Sequence, residues 1–428
     1  MASRLSLTGV LVVAMDGVEV GEVRRSRAGE LSFTYLDGTP SHLVVSPHLP
    51  VSSRTYGHAA VEPLLAGLLP DNEAVRRRWA GQFATDETPF DLLAHMGLDC
   101  AGAIQFARPE ERHLLVEGAG DLIPVSRGDI AVRLKALRAP GGESGWTQPR
   151  EQWSLAGAQG KFTLAQGVDG SWYEPLGTAP STHIIKPGIT GMTSQAAVEF
   201  ATTRAAARLG LRTTSIEYAD FEGQEAVVIE RFDRVRLTPA DRILRLHQVD
   251  LCMAAGVMPG RKYERDRGPS AAALASIVRR HTREADVVRF SDALLFNYLS
   301  NSPDAHSKNF ALLYGGTRAR LAPLYDLATG LPYDKNDAPV RSAFRIGGVA
   351  NFGEAYEKHF VRHAEEFGLD VDERLGRVRD LAARIPEAMR EAMLTDLGGE
   401  VGATLWRRTS SGPGRIDSFC RRVVHRLA

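Results

Sequence analysis

Cysteine is scarce in this sequence of 428 residues. The three cysteines, Cys100, Cys252 and Cys420, lie far apart and form no C-x-x-C pair. An odd number of isolated thiols is typical of a protein from a reducing compartment, and small apolar filler is the simplest interpretation of each. The cysteine content therefore favours a reducing cytoplasm, and excludes neither a buried nor a reactive thiol.

Long apolar runs are also missing. Near the start of the chain the longest run covers residues 9–15, which is too short to span a bilayer, and it leads into Asp16-Gly17. Arg4 ahead of this run would suit a signal peptide, but a D-G pair between two apolar segments predicts a β-hairpin. We expect a cytoplasmic globular protein with no membrane segment.

Neither sign of charge is in excess. Lys+Arg and Asp+Glu both number 52, so the formal net charge is zero. This balance excludes an overall basic field that would attract nucleic acid or an anionic membrane, and any nucleic-acid contact must be local or made through a partner. With 43% hydrophobic residues, the chain can form two or three domains with ordinary cores.

Turn residues and hydrophobic periodicity divide the chain into three predicted parts. Residues 1–140 begin as a β-rich module, residues 146–246 contain mainly strands, and residues 247–428 are mainly helical. The Gly- and Pro-rich segment 139–150 is the predicted linker between the first two parts. The first part is predicted to contain strands at Val10–Met15, Val18–Val23, Leu31–Tyr35 and His42–Val45, and helices at Glu73–Phe83 and after an N-cap at Thr88.

The stretch N-S-P-D-A-H-S-K-N at residues 301–309, with Asp326 further on, points to a function. An Asp and an Asn five positions apart, then a hairpin and a second Asp, is the polar layout with which protein kinases hold Mg²⁺ and a phosphate-accepting hydroxyl. Asp304 would accept the proton of that hydroxyl, and Asn309 and Asp326 would bind Mg²⁺. The alternative is that Asp304 and Asn309 only shape a turn.

Two features upstream occur in the order expected of a kinase. The small residues of S-L-A-G-A-Q-G-K, from Ser154 to Lys161, predict a hairpin loop whose backbone N–H groups could approach phosphate oxygens, although a plain turn has the same composition. Next, T-H-I-I-K-P predicts a strand that ends at Lys186. This lysine either pairs nucleotide phosphates or is an ordinary edge lysine.

A helix and a hinge complete the order. The helix from Ser194 to Gly210 carries Glu199, which either reaches back to Lys186 or is solvated. The strand 226–231 then leads into E-R-F-D-R, a predicted hinge between two lobes. In the third part, we expect Ser291 to cap a helix that runs into the 301–309 loop, and residues 310–314 and 321–325 to form a hairpin carrying Asp326.

Taken together, these motifs resemble the HipA family. The resemblance covers nearly the whole chain and is carried by separated motifs that agree in order: P-F-D-L-L at 89–93, D-C-A-G-A at 99–103, S-L-A-G-A-Q-x-K, T-H-I-I-K-P, E-R-F-D-R, H-Q-V-D at 247–250, K-Y-E at 262–264 with Gly268-Pro269, and D-x-H-x-K-N. The family implies an α+β, protein-kinase-like bilobal fold with an extra small N-terminal subdomain and a mostly helical C-terminal lobe. It also implies a serine/threonine kinase that acts as the toxin of a toxin–antitoxin module.

Site residues follow from the resemblance position by position. The implied catalytic set is Asp304, Lys186, Asn309 and Asp326, and the implied autophosphorylation site is Ser154. The implied ATP- and Mg²⁺-binding set is Ser154, Ala156, Gly157, Ala158, Gln159, Lys161, Lys186, Glu230, Phe232, Asp233, Gln248, His306, Asn309 and Asp326, with Asn309 and Asp326 as the metal ligands. The sequence departs from the usual family pattern at Gly160 and Arg345, and neither change touches a catalytic assignment.

The family also implies partners. These are a HipB-like helix-turn-helix antitoxin, operator DNA reached through that antitoxin, and an aminoacyl-tRNA synthetase as the phosphorylated protein, with glutamyl-tRNA synthetase as the analogue. Two alternatives stay open. The chain could be a nucleotide-binding co-repressor that acts through its antitoxin without phosphotransfer, or a kinase of small molecules that shares the same fold.

Overall fold

Helices and strands cover most of the chain in a computed structural model, which describes residues 9–118, 120–238, 242–315, 318–333, 341–411 and 415–427, and only the backbone of Glu143 and Ser144. The strands are β1 (Val10–Met15), β2 (Val18–Arg25), β3 (Leu31–Tyr35), β4 (Thr55–Gly57), β5 (Asp99–Cys100), β6 (Ile104–Ala107), β7 (Leu122–Val125), β8 (Trp153–Ser154), β9 (Phe162–Gln166), β10 (Trp172–Pro175), β11 (His183–Lys186), β12 (Ile216–Phe221), β13 (Gln224–Glu230), β14 (Arg234–Leu237), β15 (Arg242–Arg245), β16 (His247–Asp250), β17 (Ala311–Tyr314), β18 (Ala319–Leu321), β19 (Arg341–Ile346) and β20 (Val349–Asn351).

The helices follow the same numbering along the chain. They are α1 (His58–Gly67), α2 (Glu73–Gln82), α3 (Pro89–Met96), α4 (Arg112–Glu117), α5 (Arg127–Arg138), α6 (Gln195–Arg208), α7 (Leu251–Ala254), α8 (Ala271–His281), α9 (Glu284–Leu299), α10 (Glu357–Glu366), α11 (Val371–Glu391), α12 (Gly399–Ser410) and α13 (Ile416–His425), with a π-helical segment at Ala392–Leu397 between α11 and α12. The mixture of sheets and helices confirms the predicted α+β class.

The chain forms two compact units. The first comprises Met1–Pro187, Ala219–Pro259 and Ala311–Ala319, and the second comprises Gly188–Tyr218, Gly260–Phe310 and Arg320–Ala428. The division into residues 1–140, 146–246 and 247–428 that we derived from sequence stays a prediction.

The first unit opens with the predicted hairpin. Asp16 and Gly17 have φ angles of 47° and 84°, and Met15 lies opposite Val18 across the turn. The sheet built on this hairpin has the order β4-β3-β2-β1-β6. The strand predicted at His42–Val45 is wrong, because that segment forms turns after Pro40, and the edge of β3 pairs with β4 instead.

A six-stranded sheet forms the second half of this unit. Its order is β12-β13-β11-β9-β10-β7, so β11 lies between two strands. Lys186 is therefore on a central strand, and the edge-lysine alternative is excluded. The hairpin predicted to hold residues 154–161 is wrong, because β8 pairs in parallel with β5 and not with β9.

The segment predicted as a linker is packed. Trp146 and Thr147 are 1% exposed, and Trp79 donates a 2.8 Å hydrogen bond to Thr147. Beside them, the Arg133 guanidinium binds the Glu151 carboxylate at 2.5 and 2.7 Å. Large apolar side chains and a buried ion pair thus anchor a segment whose Gly and Pro content predicted a flexible linker.

A buried ion network joins three parts of the first unit. Both oxygens of Asp99 accept hydrogen bonds, from Ser181 at 2.6 Å, Arg234 at 2.8 Å, Arg245 at 3.2 Å and Arg231 at 3.3 Å. Burial by itself would raise the pKa of Asp99, but the guanidinium groups of Arg234, Arg231 and Arg245 outweigh it and hold the pKa well below its usual range. Asp99 is therefore ionised, and it fixes the start of the E-R-F-D-R stretch.

The second unit is mainly helical. Helix α9 contacts α8, α11 and β19, and its apolar side chains, including Phe290 and Phe296, are fully buried. The helix begins at Glu284, so the predicted N-cap at Ser291 is wrong. Ser291 lies within the helix, where its hydroxyl forms a 3.0 Å hydrogen bond with Nε2 of His363 on α10.

The predictions for the C-terminal region have different outcomes. Strand β17 forms as predicted, but the second predicted strand at residues 321–325 is wrong, because β18 is Ala319–Leu321 and shares only Leu321 with it. Strands β17 and β18 are neighbours in one sheet. Helices dominate among the described residues after residue 353, as predicted for the third part. Among the described helices, none has the length and apolar character needed to cross a membrane.

We predict that Asp99→Asn destabilises the protein by about 3–5 kcal/mol, because it leaves buried guanidinium groups without their carboxylate. Urea unfolding followed by circular dichroism measures this change. Glu387→Gln is the matched control: it removes a carboxylate from an exposed pair with Arg390 and should change the free energy of unfolding far less than Asp99→Asn does. Equal effects of the two substitutions would contradict the structural role of Asp99.

A second prediction concerns pH. Burial lowers the pKa of His247 to about 4 and that of His363 to about 3, so both pKa values are depressed relative to an unfolded chain. Their contribution to stability is complete above pH ~6.5 and is lost as the pH falls towards the folded-state values. The free energy of unfolding should fall with decreasing pH by up to about 1.4 kcal/mol per pH unit for each histidine.

Urea titrations between pH 7 and pH 5 test this expectation. His363→Gln cannot take up the proton and should reduce the slope, whereas His425→Gln, at an exposed position, should not. A free energy of unfolding that is flat over this interval would show that the buried histidines titrate normally.

Candidate active site

The loop 301–309 is closed by its own polar groups. Nδ2 of Asn309 donates a 2.8 Å hydrogen bond to the backbone carbonyl of Asp304, and the backbone N–H of His306 donates to the same carbonyl at 2.8 Å. Asn301 begins the loop with a φ angle of 52°, and its carbonyl accepts a hydrogen bond from Gly330. The side chain of Asn309 is thereby oriented, and its Oδ1 is the atom that a cation would require.

Neighbouring segments hold the same loop from both sides. The Ser307 hydroxyl donates a 2.8 Å hydrogen bond to the carbonyl of Lys262, and the Tyr325 hydroxyl donates a 2.7 Å hydrogen bond to the carbonyl of Lys308. Ser307 to Asn309 are buried. The loop is therefore fixed both to the 260–268 segment and to the segment that carries Asp326.

Asp326 has a left-handed backbone conformation, with a φ angle of 58°. Asp is one of the few residues that adopt this conformation at modest cost, and such positions concentrate at functional sites. The preceding Leu324 is anchored by backbone hydrogen bonds with Arg212 at 2.8 Å and Thr214 at 2.9 Å. The backbone therefore presents Asp326 at a defined position.

The electrostatics of Asp304 suit a proton acceptor. Its surroundings desolvate the carboxylate and raise its pKa above the usual range, a hydrogen bond from Tyr263 opposes the increase, and the nearby carboxylate of Asp326 adds to it. Asp304 itself reaches solvent. A carboxylate with an elevated pKa is a stronger base, which is the property that a proton acceptor requires.

Tyr263 is a residue for which sequence reasoning found no role. Its hydroxyl donates a hydrogen bond to Oδ1 of Asp304, and its ring contacts His306 edge to face at 4.9 Å between centroids. The K-Y-E motif at 262–264 was the available signal, but nothing in it predicts a contact with a residue forty positions away. His306, predicted to touch nucleotide, is 5% exposed and packs the loop.

The donor set fits Mg²⁺. This ion prefers one or two protein oxygens and takes its other ligands from phosphate and water, and Asn309 and Asp326 are the two residues that would supply such oxygens. Within the described part of the chain, no three His, Cys, Asp or Glu side chains are arranged to hold a metal. A magnesium site to which the protein contributes only two ligands does not need a cluster of three such side chains.

Lys186 and Glu230, two of the predicted nucleotide residues, lie on the six-stranded sheet of the first unit. Lys186 at the end of β11 is 6% exposed and lies opposite Val227 of β13, while Glu230 at the other end of the pair lies opposite His183 and is exposed. Gln248 is on β16, opposite Leu313. Glu199 belongs to α6 in the second unit and is fully buried, so the solvated alternative is excluded.

Asp233 is occupied by protein groups. Its carboxylate accepts hydrogen bonds from Arg231 at 2.8 and 3.0 Å and from the backbone N–H of Gly102 at 2.6 Å, and it is 2% exposed. Burial would raise the pKa of Asp233, but Arg231 and Arg234 hold it below the usual value. These contacts give Asp233 a structural role, and its contribution to nucleotide binding stays a prediction. Phe232, beside it, is half-buried.

Residues 154–161 lie against the segment after α1. The Ser154 hydroxyl is fully buried and donates a 2.8 Å hydrogen bond to the carbonyl of Leu68, and Gly157 bridges to Pro70 with a φ angle of 106°. Nζ of Lys161 donates to the carbonyl of Ala156 at 2.5 Å. The φ angle of Gly157 lies in a region that other residues rarely adopt, so this turn requires glycine.

Models of two protein families match this chain. The HipA N-terminal domain matches residues 11–107, and the HipA-like C-terminal domain matches residues 153–392, which is more than half of the chain. The protein belongs to the HipA family of kinase toxins.

Individual HipA relatives agree over most of their length. Y4mE of Sinorhizobium fredii is 31% identical over 90% of this chain and 92% of its own length. The serine/threonine-protein kinase toxin HipA of Shewanella oneidensis is 28% identical over 84% of this chain and 83% of its own length.

A solved structure shows the same fold. HipA of Shewanella oneidensis, determined with HipB and operator DNA, superposes with a TM-score of 0.78 at 24% identity and covers 97% of this chain and 98% of its own. The likeness confirms the HipA fold, and with it the predicted mixture of a β-rich N-terminal part and a helical C-terminal part.

We predict that the HipA-type loop binds a divalent ion through Asn309 and Asp326. Mn²⁺, used as a paramagnetic substitute for Mg²⁺ together with ATP, should bind the wild-type protein, and Asp326→Asn should weaken binding at least tenfold because the amide is uncharged. Electron paramagnetic resonance of free Mn²⁺ measures the change. Asp372→Asn, at an exposed position in α11, is the control. Equal affinity in all three proteins would remove Asp326 from the metal site.

Proposed function

We propose that this chain is an ATP- and Mg²⁺-dependent protein serine/threonine kinase and the toxin of a type II toxin–antitoxin module. The observation that carries the proposal is the 301–309 loop, in which the hydrogen bond between Asn309 and the Asp304 carbonyl orients a metal ligand beside a carboxylate of raised pKa. The kinase toxin among its relatives supports the same activity.

The reaction uses the residues in distinct roles. Asp304 holds the acceptor hydroxyl and takes its proton as the oxygen forms a bond to the γ-phosphorus of ATP, and ADP leaves with the electrons of the broken bond. Lys186 carries a positive charge for the nucleotide phosphates, and Asn309 and Asp326 hold the metal. Mg²⁺, when bound, neutralises charge on the phosphate oxygens.

Ser154 is the proposed autophosphorylation site. Its hydroxyl is fully buried and bonded to Leu68, so the 154–161 loop must leave this position before phosphate can be attached. The phosphate would then add about 1.5 to 2 negative charges next to the loop proposed to hold ATP phosphates. We therefore propose that autophosphorylation inactivates the protein.

The proposal also includes the proteins that this kinase would bind and phosphorylate. The complex of Shewanella oneidensis HipA with HipB and operator DNA supports a HipB-like antitoxin here, with DNA reached through it. We propose an aminoacyl-tRNA synthetase of the glutamyl type as the phosphorylated protein, and such a target would place the kinase in the bacterial cytoplasm. The alternative is a co-repressor that binds the same partners without phosphotransfer, and it predicts a tight antitoxin complex and no labelled protein.

We predict that incubation with γ-labelled ATP and Mg²⁺ labels Ser154. Asp304→Ala and Asp326→Ala should each reduce the rate by roughly 10²–10⁴, the contribution of a well-placed base or metal ligand. Mass spectrometry locates the label, and Asp372→Ala is the exposed control. Label that survives both substitutions would exclude this site, and absence of any label on Ser154 or on purified synthetases would favour the co-repressor.

A further inference from the structure

We infer that Tyr263 covers Asp304 as an internal occupant of the acceptor-hydroxyl position, which suppresses wasteful hydrolysis of ATP until a protein hydroxyl displaces it. The inference deepens the proposed kinase function and rests on Asp304 as the base. The starting observation is that the Tyr263 hydroxyl donates its hydrogen bond to Oδ1 of Asp304.

This hydrogen bond is of the same kind as the one that a phosphate-accepting hydroxyl would form with Asp304. A general base must lie within hydrogen-bond distance of the proton that it removes, and a serine or threonine hydroxyl would therefore donate to the Asp304 carboxylate just as the phenol does. A phenol that donates to a carboxylate forms a strong, charge-assisted bond. Tyr263 thus competes directly with water or an acceptor for the same carboxylate.

The segment around Tyr263 is held in place by several contacts. The carbonyl of Tyr263 accepts 3.0 Å hydrogen bonds from the backbone N–H groups of Asp266 and Gly268. The carbonyl of Lys262 accepts from Ser307 in the 301–309 loop, and the Glu264 carboxylate accepts a 2.9 Å hydrogen bond from the backbone N–H of Arg345. The position of the phenol is therefore built into this part of the fold.

Close packing at Gly268 reinforces that position. A Cβ at residue 268 would lie 2.1 Å from the carbonyl oxygen of Arg261 and 2.5 Å from that of Tyr263. The turn therefore needs glycine to bring the segment back on itself. The G-R-K-Y-E-R-D-R-G sequence encodes a tight loop with one aromatic side chain directed at the base.

The ring itself can move without loss of core packing. Tyr263 is half-buried, and its faces are covered by the side chains of Lys262 and Arg265, whose charged groups lie 5.6 and 4.3 Å from the ring centroid. Flexible, solvent-reaching side chains of this kind can follow the ring when it turns away. Displacement by an incoming protein segment is therefore compatible with the fold of the loop.

A cover over the base is useful to a kinase. Water is the commonest competing acceptor, and exclusion of water from a reactive site prevents hydrolysis of the phosphate donor. Asp304 reaches solvent, so without the phenol it would be open to water. The Tyr263 hydroxyl occupies this carboxylate until an acceptor hydroxyl displaces it.

ATP hydrolysis in the absence of a protein acceptor tests the inference. All forms carry Ser154→Ala, so that autophosphorylation cannot change the amount of active enzyme. Tyr263→Phe keeps the ring and removes the hydroxyl, and it should raise the maximal rate of phosphate release from ATP and Mg²⁺ about tenfold, consistent with removing one hydrogen bond to a charged group. The KM for ATP should stay the same, because Tyr263→Phe keeps the ring that contacts His306 and removes only the hydroxyl that is bonded to the base.

Two further variants complete the experiment. Tyr356→Phe, the same change at an exposed tyrosine of the second unit, should leave hydrolysis unchanged. Adding Asp304→Ala to Tyr263→Phe should abolish the increase, since the increase depends on an uncovered base. A general loosening of the fold would instead raise the KM for ATP and lower the urea midpoint, and that result would overturn the inference.

The outcomes separate this inference from the proposed function. If the protein with an intact Ser154 becomes labelled but Tyr263→Phe hydrolyses ATP at the same rate or more slowly, Tyr263 orients the base and does not cover it, while the kinase stands. If neither protein labelling nor hydrolysis occurs in any form, the kinase assignment and the cover fail together.

Discussion

The carbonyl group of Asp304, which accepts hydrogen bonds from the Asn309 side chain and the His306 backbone, is the interaction on which the candidate site depends. These hydrogen bonds close a loop of six residues, from Asp304 to Asn309, and fix the orientation of the Asn309 amide beside Asp304. The rest of the second unit serves to hold this loop, since Ser307, Lys308 and the buried α9 fix its two ends. A catalytic site for phosphoryl transfer needs such fixed positions more than it needs reactive groups.

Charge is used differently in the two units. In the first, Asp99 and Asp233 are buried among arginines, their pKa values are held low, and they stabilise the backbone around E-R-F-D-R. In the second, desolvation and, to a smaller extent, the carboxylate of Asp326 raise the pKa of Asp304, which suits it to take up a proton. The same residue type is therefore structural in one environment and suited to proton transfer in the other, and its surroundings decide which.

Much of the fold was predictable where local rules dominate. The D-G hairpin, the Thr88 N-cap, the helix from Ser194 and the strand that ends at Lys186 all follow from turn residues, caps and periodicity, and the structure has each of them. The errors have a common physical origin. Ser291 resembles an N-cap, but it is bonded to His363, and residues 139–150 resemble a linker, but Trp146 and Arg133 anchor them in the core. Each error reflects a partner that is distant in sequence.

The sequence by itself determined the family, the identity of the candidate catalytic residues and their order, because these depend on residue types at short, regular spacings. Only the tertiary structure decided that Tyr263 donates to Asp304, that Asp233 belongs to an ion network, and that Ser154 is buried beside Leu68. The physical reason is that hydrogen bonds and burial join residues far apart in the chain. No local sequence pattern indicates which distant residue will form the contact.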